Sequence, residues 1–109
     1  MTTEGRVAAH QALVELLGLV EAVAQADEAA GQWDKAITHY LKGLEADDLA
    51  EQFYQGLMRC YAALGRHAEG MAVFRRLRQT LSVVLSIAPS EASQSLAKAL
   101  QRENPAHSN

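Results

Sequence analysis

The stretch LMRCYAALGRHAEGMAVFRRLRQTL, Leu57–Leu81, reads as two apolar helices joined at a glycine. In its second half Phe74, Leu77 and Leu81 recur at steps of three and four residues, the spacing of one helical face. Gly65 follows an alanine-rich segment, as expected of a glycine that ends a helix in the left-handed conformation. The stretch therefore predicts a helix hairpin. Its many arginines are open to two readings: a nucleic-acid contact, or only the solvated face of the hairpin.

The same pattern occurs once before in the chain, at Gly31, which is 34 residues upstream of Gly65. Both glycines are followed by a small residue five positions on and by an aromatic residue nine positions on. The small residue lets two helices touch, and the aromatic fills the gap to the next hairpin. A period of 34 residues is that of the tetratricopeptide repeat. The pairs are Ala36 and Tyr40 in the first copy, and Gly70 and Phe74 in the second.

Helical periodicity and breaks predict an all-α fold, a tetratricopeptide-like array of antiparallel helix hairpins. Gly18 leaves open whether the first helix is one piece or two, and Pro89-Ser90 predicts a stop followed by an N-cap. We expect five helices, at about 6–30, 33–46, 49–64, 67–86 and 90–102. We expect a single domain over 6–102, with units at about 17–48 and 51–86, a capping helix at 90–102 and a frayed tail at 103–109.

Composition limits the classes of function. The chain has 109 residues, of which 49 % are apolar, so it can form one modest core. Residues 1–52 carry ten acidic and three basic side chains, a charge of −7, whereas residues 53–109 carry three and seven, a charge of +4. A net charge of −3 argues against a domain-wide DNA-binding surface. One cysteine excludes an intrachain disulfide and zinc-ligand pairs.

No uninterrupted apolar run reaches the roughly 20 residues that a membrane span needs. Glu15 and Glu21 interrupt the apolar segment at 11–24, which also lacks the flanks of a signal peptide. We therefore expect a cytoplasmic protein with no membrane contact.

The second half of the chain resembles a known family more specifically. The helix end LMRCYAALGR, the helix FRRLRQTL and the link L-x-I-x-PS into a final helix resemble the bacterial transcriptional activator domain. This is the tetratricopeptide-like module of bacterial transcriptional regulators. Ser86 stands where family members commonly have glycine, and VVL replaces a usual acidic pair. The resemblance covers about residues 15–100 and is strongest over 53–100.

The resemblance implies a non-catalytic interaction and signalling module, not a DNA reader. Related regulators place a winged-helix domain before this module, and these residues leave no room for one. The chain is accordingly expected to be either a fragment of a larger regulator or a stand-alone relative. The expected partners are proteins: other domains of the same regulator, a second copy in a homodimer, or a separate protein. The alternative is a free-standing adaptor that binds a peptide and has no link to transcription.

Two sets of residues are candidates for such contacts. One is a basic face on the fourth helix. The preferred interpretation of this face is solvated surface, the second is docking to an acidic partner, and the third is contact with phosphate groups. The other is a polar groove, because the first helix of each hairpin lines the concave side of such arrays; a merely wet face is again slightly preferred. The basic face is Arg75, Arg76 and Arg78, and the groove is Glu21, Gln25, Glu28, Gln52, Gln55 and Arg59.

The remaining cysteine, histidine and aromatic residues are expected to have structural roles and no catalytic ones. Cys60 lies on an apolar stripe with no neighbouring base, so we expect a buried thiol. The four histidines lack metal-ligand spacing, and Trp33, Tyr40 and Phe74 occupy core positions of the repeat. We expect no catalytic residues, no metal and no cofactor.

Overall fold

The structure is a computed structural model that describes residues 2–103, and it is all-α over these residues. Each helix packs against the next, and α3 also contacts α1 and α5. The predicted fold class is confirmed, with small differences at the helix ends. The helices are α1 Thr3–Ala29, α2 Trp33–Ala46, α3 Glu51–Ala63, α4 His67–Leu85 and α5 Glu91–Glu103.

The first helix is continuous through Gly18 and begins three residues earlier than expected. Thr2 explains this start, because its side chain caps the helix by accepting a hydrogen bond from the Gly5 amide at 3.2 Å. At the other end of the chain, α5 includes Glu103, which was expected to belong to a frayed tail. The rest of that expected tail, 104–109, lies outside the described residues.

Both hairpin turns end in the expected left-handed glycine, with φ of 72° at Gly31 and 73° at Gly65. At the second turn, the Gly65 amide donates to the carbonyl of Ala62 at 3.1 Å and the Arg66 amide donates to that of Tyr61 at 2.8 Å. The same two bonds close the turn at Gly31. This is the Schellman motif, which satisfies the last carbonyls of a helix.

The helix α3 is the centre of the core. Phe53, Tyr54 and Leu57 are at most 1 % exposed, and Cys60 is fully buried as expected. The repeat aromatic Tyr40 of α2 is buried against Gly56, where the missing side chain leaves room for its ring. Aromatic and glycine positions therefore interlock the two hairpins.

The fourth helix ends differently from the first and third. Ser86 adopts the left-handed conformation, with φ 56° and ψ 37°, and its amide donates to the carbonyl of Ser82 at 3.1 Å. Non-glycine residues adopt this conformation at a cost. Ser86 thus takes the conformation that would explain a glycine at the corresponding position of similar sequences.

Candidate docking surfaces

Two residues of the expected groove, Glu28 and Arg59, are bound to each other. Arg59 of α3 donates from Nε and Nη2 to the two carboxylate oxygens of Glu28 on α1, both at 3.0 Å. The hydroxyl of Tyr40 on α2 also donates to Glu28. Because the Glu28 carboxylate accepts these bonds, the pKa of Arg59 is raised. Burial, followed by the bond to Glu28, raises the pKa of the Tyr40 hydroxyl.

A second acidic residue reinforces the same junction. Asp27 precedes Glu28 and accepts a 2.7 Å hydrogen bond from the ring of His39, which precedes Tyr40. Two consecutive acids on α1 therefore bind two consecutive residues on α2, and the pairing of Glu28 with Arg59 extends it to α3. This arrangement joins three helices and leaves the Glu28 side chain only 13 % exposed.

The remaining groove candidates are divided between solvent and α5. Gln25 donates to Glu21 at 3.4 Å on one face of α1, and Gln52 is exposed. Gln55 donates to the hydroxyl of Ser93 on α5 at 2.9 Å. The binding of a partner to these residues stays a prediction, since the structure reveals only their contacts within the chain.

Sequence reasoning identified Ser90 as an N-cap but missed its partner on α3. The Ser93 amide donates to the Ser90 hydroxyl at 3.3 Å, as an N-cap requires. The carboxylate of Glu51 then accepts bonds from the Ser90 amide at 2.9 Å, from the Ser90 hydroxyl at 2.6 Å and from the fully buried Ser93 hydroxyl. No local pattern could reveal a contact across 39 residues.

Hydrogen bonding sets the ionisation of Glu51. Burial alone would raise its pKa, but the bonds from Ser90, Ser93 and Gln55 outweigh burial and leave the pKa lowered. Glu51 is thus a charged link that holds the start of α5 against α3.

The three arginines of the expected basic face do not form one surface. Arg75 and Arg78 line a groove between α4 and α5, together with Lys98. Arg76 instead lies over the ring of Tyr54, with its guanidinium carbon 5.8 Å from the ring centroid. We define the α4/α5 groove by its lining residues: Met71, Phe74, Arg75, Arg78, Ala88, Pro89, Gln94, Ala97, Lys98 and Gln101.

The long helix α1 exposes apolar residues on the side that α2 does not cover. Leu17 packs against the core, and Ala24 is fully buried beside α2. Other apolar side chains follow each other at steps of three and four residues along a different face. We call this set the α1 seam: Ala9, Ala12, Leu16, Leu19, Val23 and Ala26.

Exposure is high along the α1 seam, with 54 % for Leu16, 62 % for Leu19 and 39 % for Val23. Its alternating steps of three and four residues are those that keep an apolar stripe facing a partner helix in coiled-coil packing. The first half of α1 also exposes Val7 and Val14.

By length and composition, α1 could also cross a membrane, since an 18-residue window has a mean hydropathy of 1.5 despite its charged residues. Sequence reasoning underestimated this, because it counted only uninterrupted apolar runs. Core helices and signal sequences near an N-terminus pass the same test. The absence of membrane contact therefore stays a prediction.

Titratable groups elsewhere serve packing. Burial raises the pKa of the Cys60 thiol to about 12, so the reactive thiolate is disfavoured there. His67 lies 3.9 Å from Glu103 and joins the start of α4 to the end of α5. Within residues 2–103, no group of three or more His, Cys, Asp or Glu side chains is arranged to hold a metal ion.

These features define an array of helix hairpins with an exposed apolar helix face at one end and a basic groove at the other. Comparison with protein families identifies the array. The model of the bacterial transcriptional activator domain matches residues 2–101, and the chain belongs to that family. No curated protein and no solved structure matches the chain. The family places this chain among modules found in bacterial transcriptional regulators.

Proposed function

We propose that this chain is a non-catalytic docking module of a bacterial transcriptional regulator, and that it docks through the α1 seam. When no other domain of the regulator covers the seam, a second copy of the chain pairs with it. In a full regulator the same face serves either oligomerisation or attachment to a DNA-binding domain. The module acts in the cytoplasm, on protein partners, and without direct contact to nucleic acid.

The observation that carries this proposal is the exposure of the α1 seam. Fully burying an exposed leucine side chain contributes roughly 1.5–3 kcal/mol, so covering two half-exposed leucines one turn apart contributes about half of that for each. The helix also extends beyond its partner, because α1 has 27 residues and α2 has 14. Isolated helical segments of about 12 residues are marginal in water, so a packing partner would stabilise the first half of α1.

The polar clusters support docking over catalysis. The carboxylate of Glu28 accepts hydrogen bonds from Arg59 and Tyr40 on two other helices. The carboxylate of Glu51 accepts hydrogen bonds from Ser90 and Ser93. Side chains that satisfy each other in this way stabilise the array. The thiol of Cys60 is buried, so it is a poor nucleophile.

The adaptor alternative would use the polar groove and not the α1 seam. Arg59 and Gln55 already bind Glu28 and Ser93, so a peptide would have to compete with these internal bonds. The alternative therefore requires that the chain bind a peptide and that the double variant Arg59→Ala with Gln55→Ala abolish this binding. We expect no peptide binding that depends on these two side chains.

Sedimentation velocity of the 109-residue chain tests the proposal. The wild type should self-associate as its concentration rises, and Leu16→Glu with Leu19→Glu should remain monomeric and still unfold in a cooperative helical transition. Val83→Glu with Val84→Glu is the matched control, because these residues of α4 are 71 % and 55 % exposed but lie outside the seam. Equal loss of association in both double variants would indicate non-specific apolar contact and contradict the proposal.

A further inference from the structure

The α4/α5 groove is lined by one face of each of two neighbouring helices. Its walls are residues at i, i+3, i+4 and i+7 on each of two antiparallel helices, beginning at Met71 on α4 and at Gln94 on α5. Ala88 and Pro89 close one end, and the volume is about 470 Å³. Two neighbouring helices that present such faces form the kind of groove into which an amphipathic helix packs.

The groove is open because α5 places the polar Gln94 and the small Ala97 beside the repeat aromatic of α4. In the first unit, Tyr40 is 1 % exposed because α3 covers its ring. Its counterpart in the second unit, Phe74, remains partly exposed beside Gln94 and Ala97. The aromatic that fills the gap between hairpins in the first unit thus forms an apolar floor in the second.

The rim of the groove is cationic. Arg75 and Arg78 lie on one wall and Lys98 on the other, and none of the lining residues that the structure describes is acidic. Among residues 2–103, none of these three side chains has a carboxylate within 4.0 Å, whereas Arg59 and Arg66 are both paired with acids. Acidic side chains of a binding partner would therefore be able to pair with these cations around the apolar floor.

We propose that the α4/α5 groove binds an acidic amphipathic helix of a partner protein. An apolar side chain of that helix packs on Phe74, and its carboxylates pair with Arg75, Arg78 and Lys98. Apolar burial supplies affinity, and the rim charges select an acidic partner over a basic one. This inference rests on the proposed interaction role but uses the opposite end of the array from the α1 seam.

Fluorescence anisotropy with synthetic peptides tests the inference. The probe is a labelled helical peptide with leucine at i, i+3, i+4 and i+7 and glutamate elsewhere, and the matched peptide has lysine in place of glutamate. The wild-type chain should bind the acidic peptide at least tenfold more tightly than the basic one. Its Kd should rise between about 50 and about 200 mM salt, because screening weakens exposed ion pairs.

Three variants locate the site. The double variant Arg75→Glu with Arg78→Glu should weaken binding of the acidic peptide at least tenfold. The single variant Lys98→Glu should weaken it about threefold. Both effects are expected because rim charges of opposite sign to the ligand favour binding. Arg76→Gln is the control, because Arg76 is on the same helix but lies over Tyr54 and outside the groove. All of these side chains are exposed, so the variants should keep the wild-type melting curve.

Several results would overturn the inference: no binding of the acidic peptide, equal binding of both peptides, or equal binding by the double variant and wild type. Tighter binding of duplex DNA through the same arginines would also overturn it and make the groove a phosphate site. The Leu16→Glu with Leu19→Glu variant should still bind the acidic peptide. Loss of self-association with peptide binding retained would therefore separate this inference from the proposal for the α1 seam.

Discussion

Arg59 on α3 and Glu28 on α1 form a two-bond ion pair across 31 residues of sequence, with both nitrogen–oxygen distances at 3.0 Å. The pair lies where the sequence predicted an open groove. Tyr40 donates to the same carboxylate, so one acid joins three helices. Forked arginine–carboxylate pairs are directional as well as strong, so this contact fixes the position of the first hairpin on α3.

Removing the carboxylate of Glu28 should therefore destabilise the fold. Glu28→Ala leaves Arg59 and Tyr40 without their acceptor, and we expect a loss of about 2 kcal/mol in the free energy of unfolding. Urea unfolding followed by circular dichroism measures it. Glu21→Ala is the control, because Glu21 on the same helix makes only a 3.4 Å bond to Gln25. Equal stability of the two variants would show that the pair with Arg59 contributes little.

The left-handed turn at Gly65 predicts a cost for any side chain there. Gly65→Val should lower the free energy of unfolding by roughly 1 kcal/mol or more, because a β-branched residue is strained at positive φ. Gly18→Ala should do the reverse and stabilise by about 0.5–1 kcal/mol, since Gly18 is inside α1 with open space around it. Unchanged melting of Gly65→Val would contradict the strained turn.

The left-handed Ser86 offers a stabilising substitution. Ser86→Gly should raise the free energy of unfolding by about 1 kcal/mol, because glycine adopts this conformation without the penalty that a Cβ brings. Ser82→Gly, one turn earlier in α4, should destabilise by about 0.5–1 kcal/mol, since glycine weakens helix interiors. Thermal melts of the two variants should shift in opposite directions, and a shared direction would refute the assigned role of Ser86.

The Glu51 link predicts sensitivity to acid. Its pKa is lowered in the folded chain from an ordinary value of 4.5, so the carboxylate contributes stability above that value. The contribution is lost as the pH falls through the folded pKa. Glu51→Gln should unfold more easily near neutral pH and lose less stability than wild type between about pH 5 and about pH 3. Parallel pH profiles of stability for the two proteins would exclude this link.

The two phenylalanines test how far repeat position determines burial. Phe53→Ala should cost about 3–5 kcal/mol, as for a fully buried aromatic. Repeat position alone predicted the same for Phe74, but Phe74 is only partly buried in the α4/α5 groove. We therefore expect about 1–2 kcal/mol for Phe74→Ala, since its side chain is less completely buried than that of Phe53. A loss as large as that of Phe53→Ala would place Phe74 in the core.

The fold was predictable because apolar spacing and glycine turns act locally. Gly31, Gly65, Ala36 and Tyr40 all lie as their repeat positions predicted, and the helices follow from them. Helix ends were less accurate, because the Thr2 cap depends on one hydroxyl.

The candidate sites were less predictable, because their contacts join distant parts of the chain. Glu28 and Arg59 were both selected for the groove, yet no spacing rule indicated that they bind each other. Arg76 was grouped with Arg75 and Arg78, yet it lies over Tyr54 and outside the α4/α5 groove, because of how α4 packs against α3. The pairing of Glu51 with α5 likewise requires the packed structure.

Hydrogen–deuterium exchange along α1, measured at low and high concentration of the wild-type chain, tests the central proposal most directly. The α1 seam is proposed to be covered by a second copy, so amides of α1 over 9–26 should exchange more slowly at high concentration. Amides near Val83 and Val84 should not change. Exchange of α1 that is independent of concentration, in a chain that remains monomeric, would contradict the account.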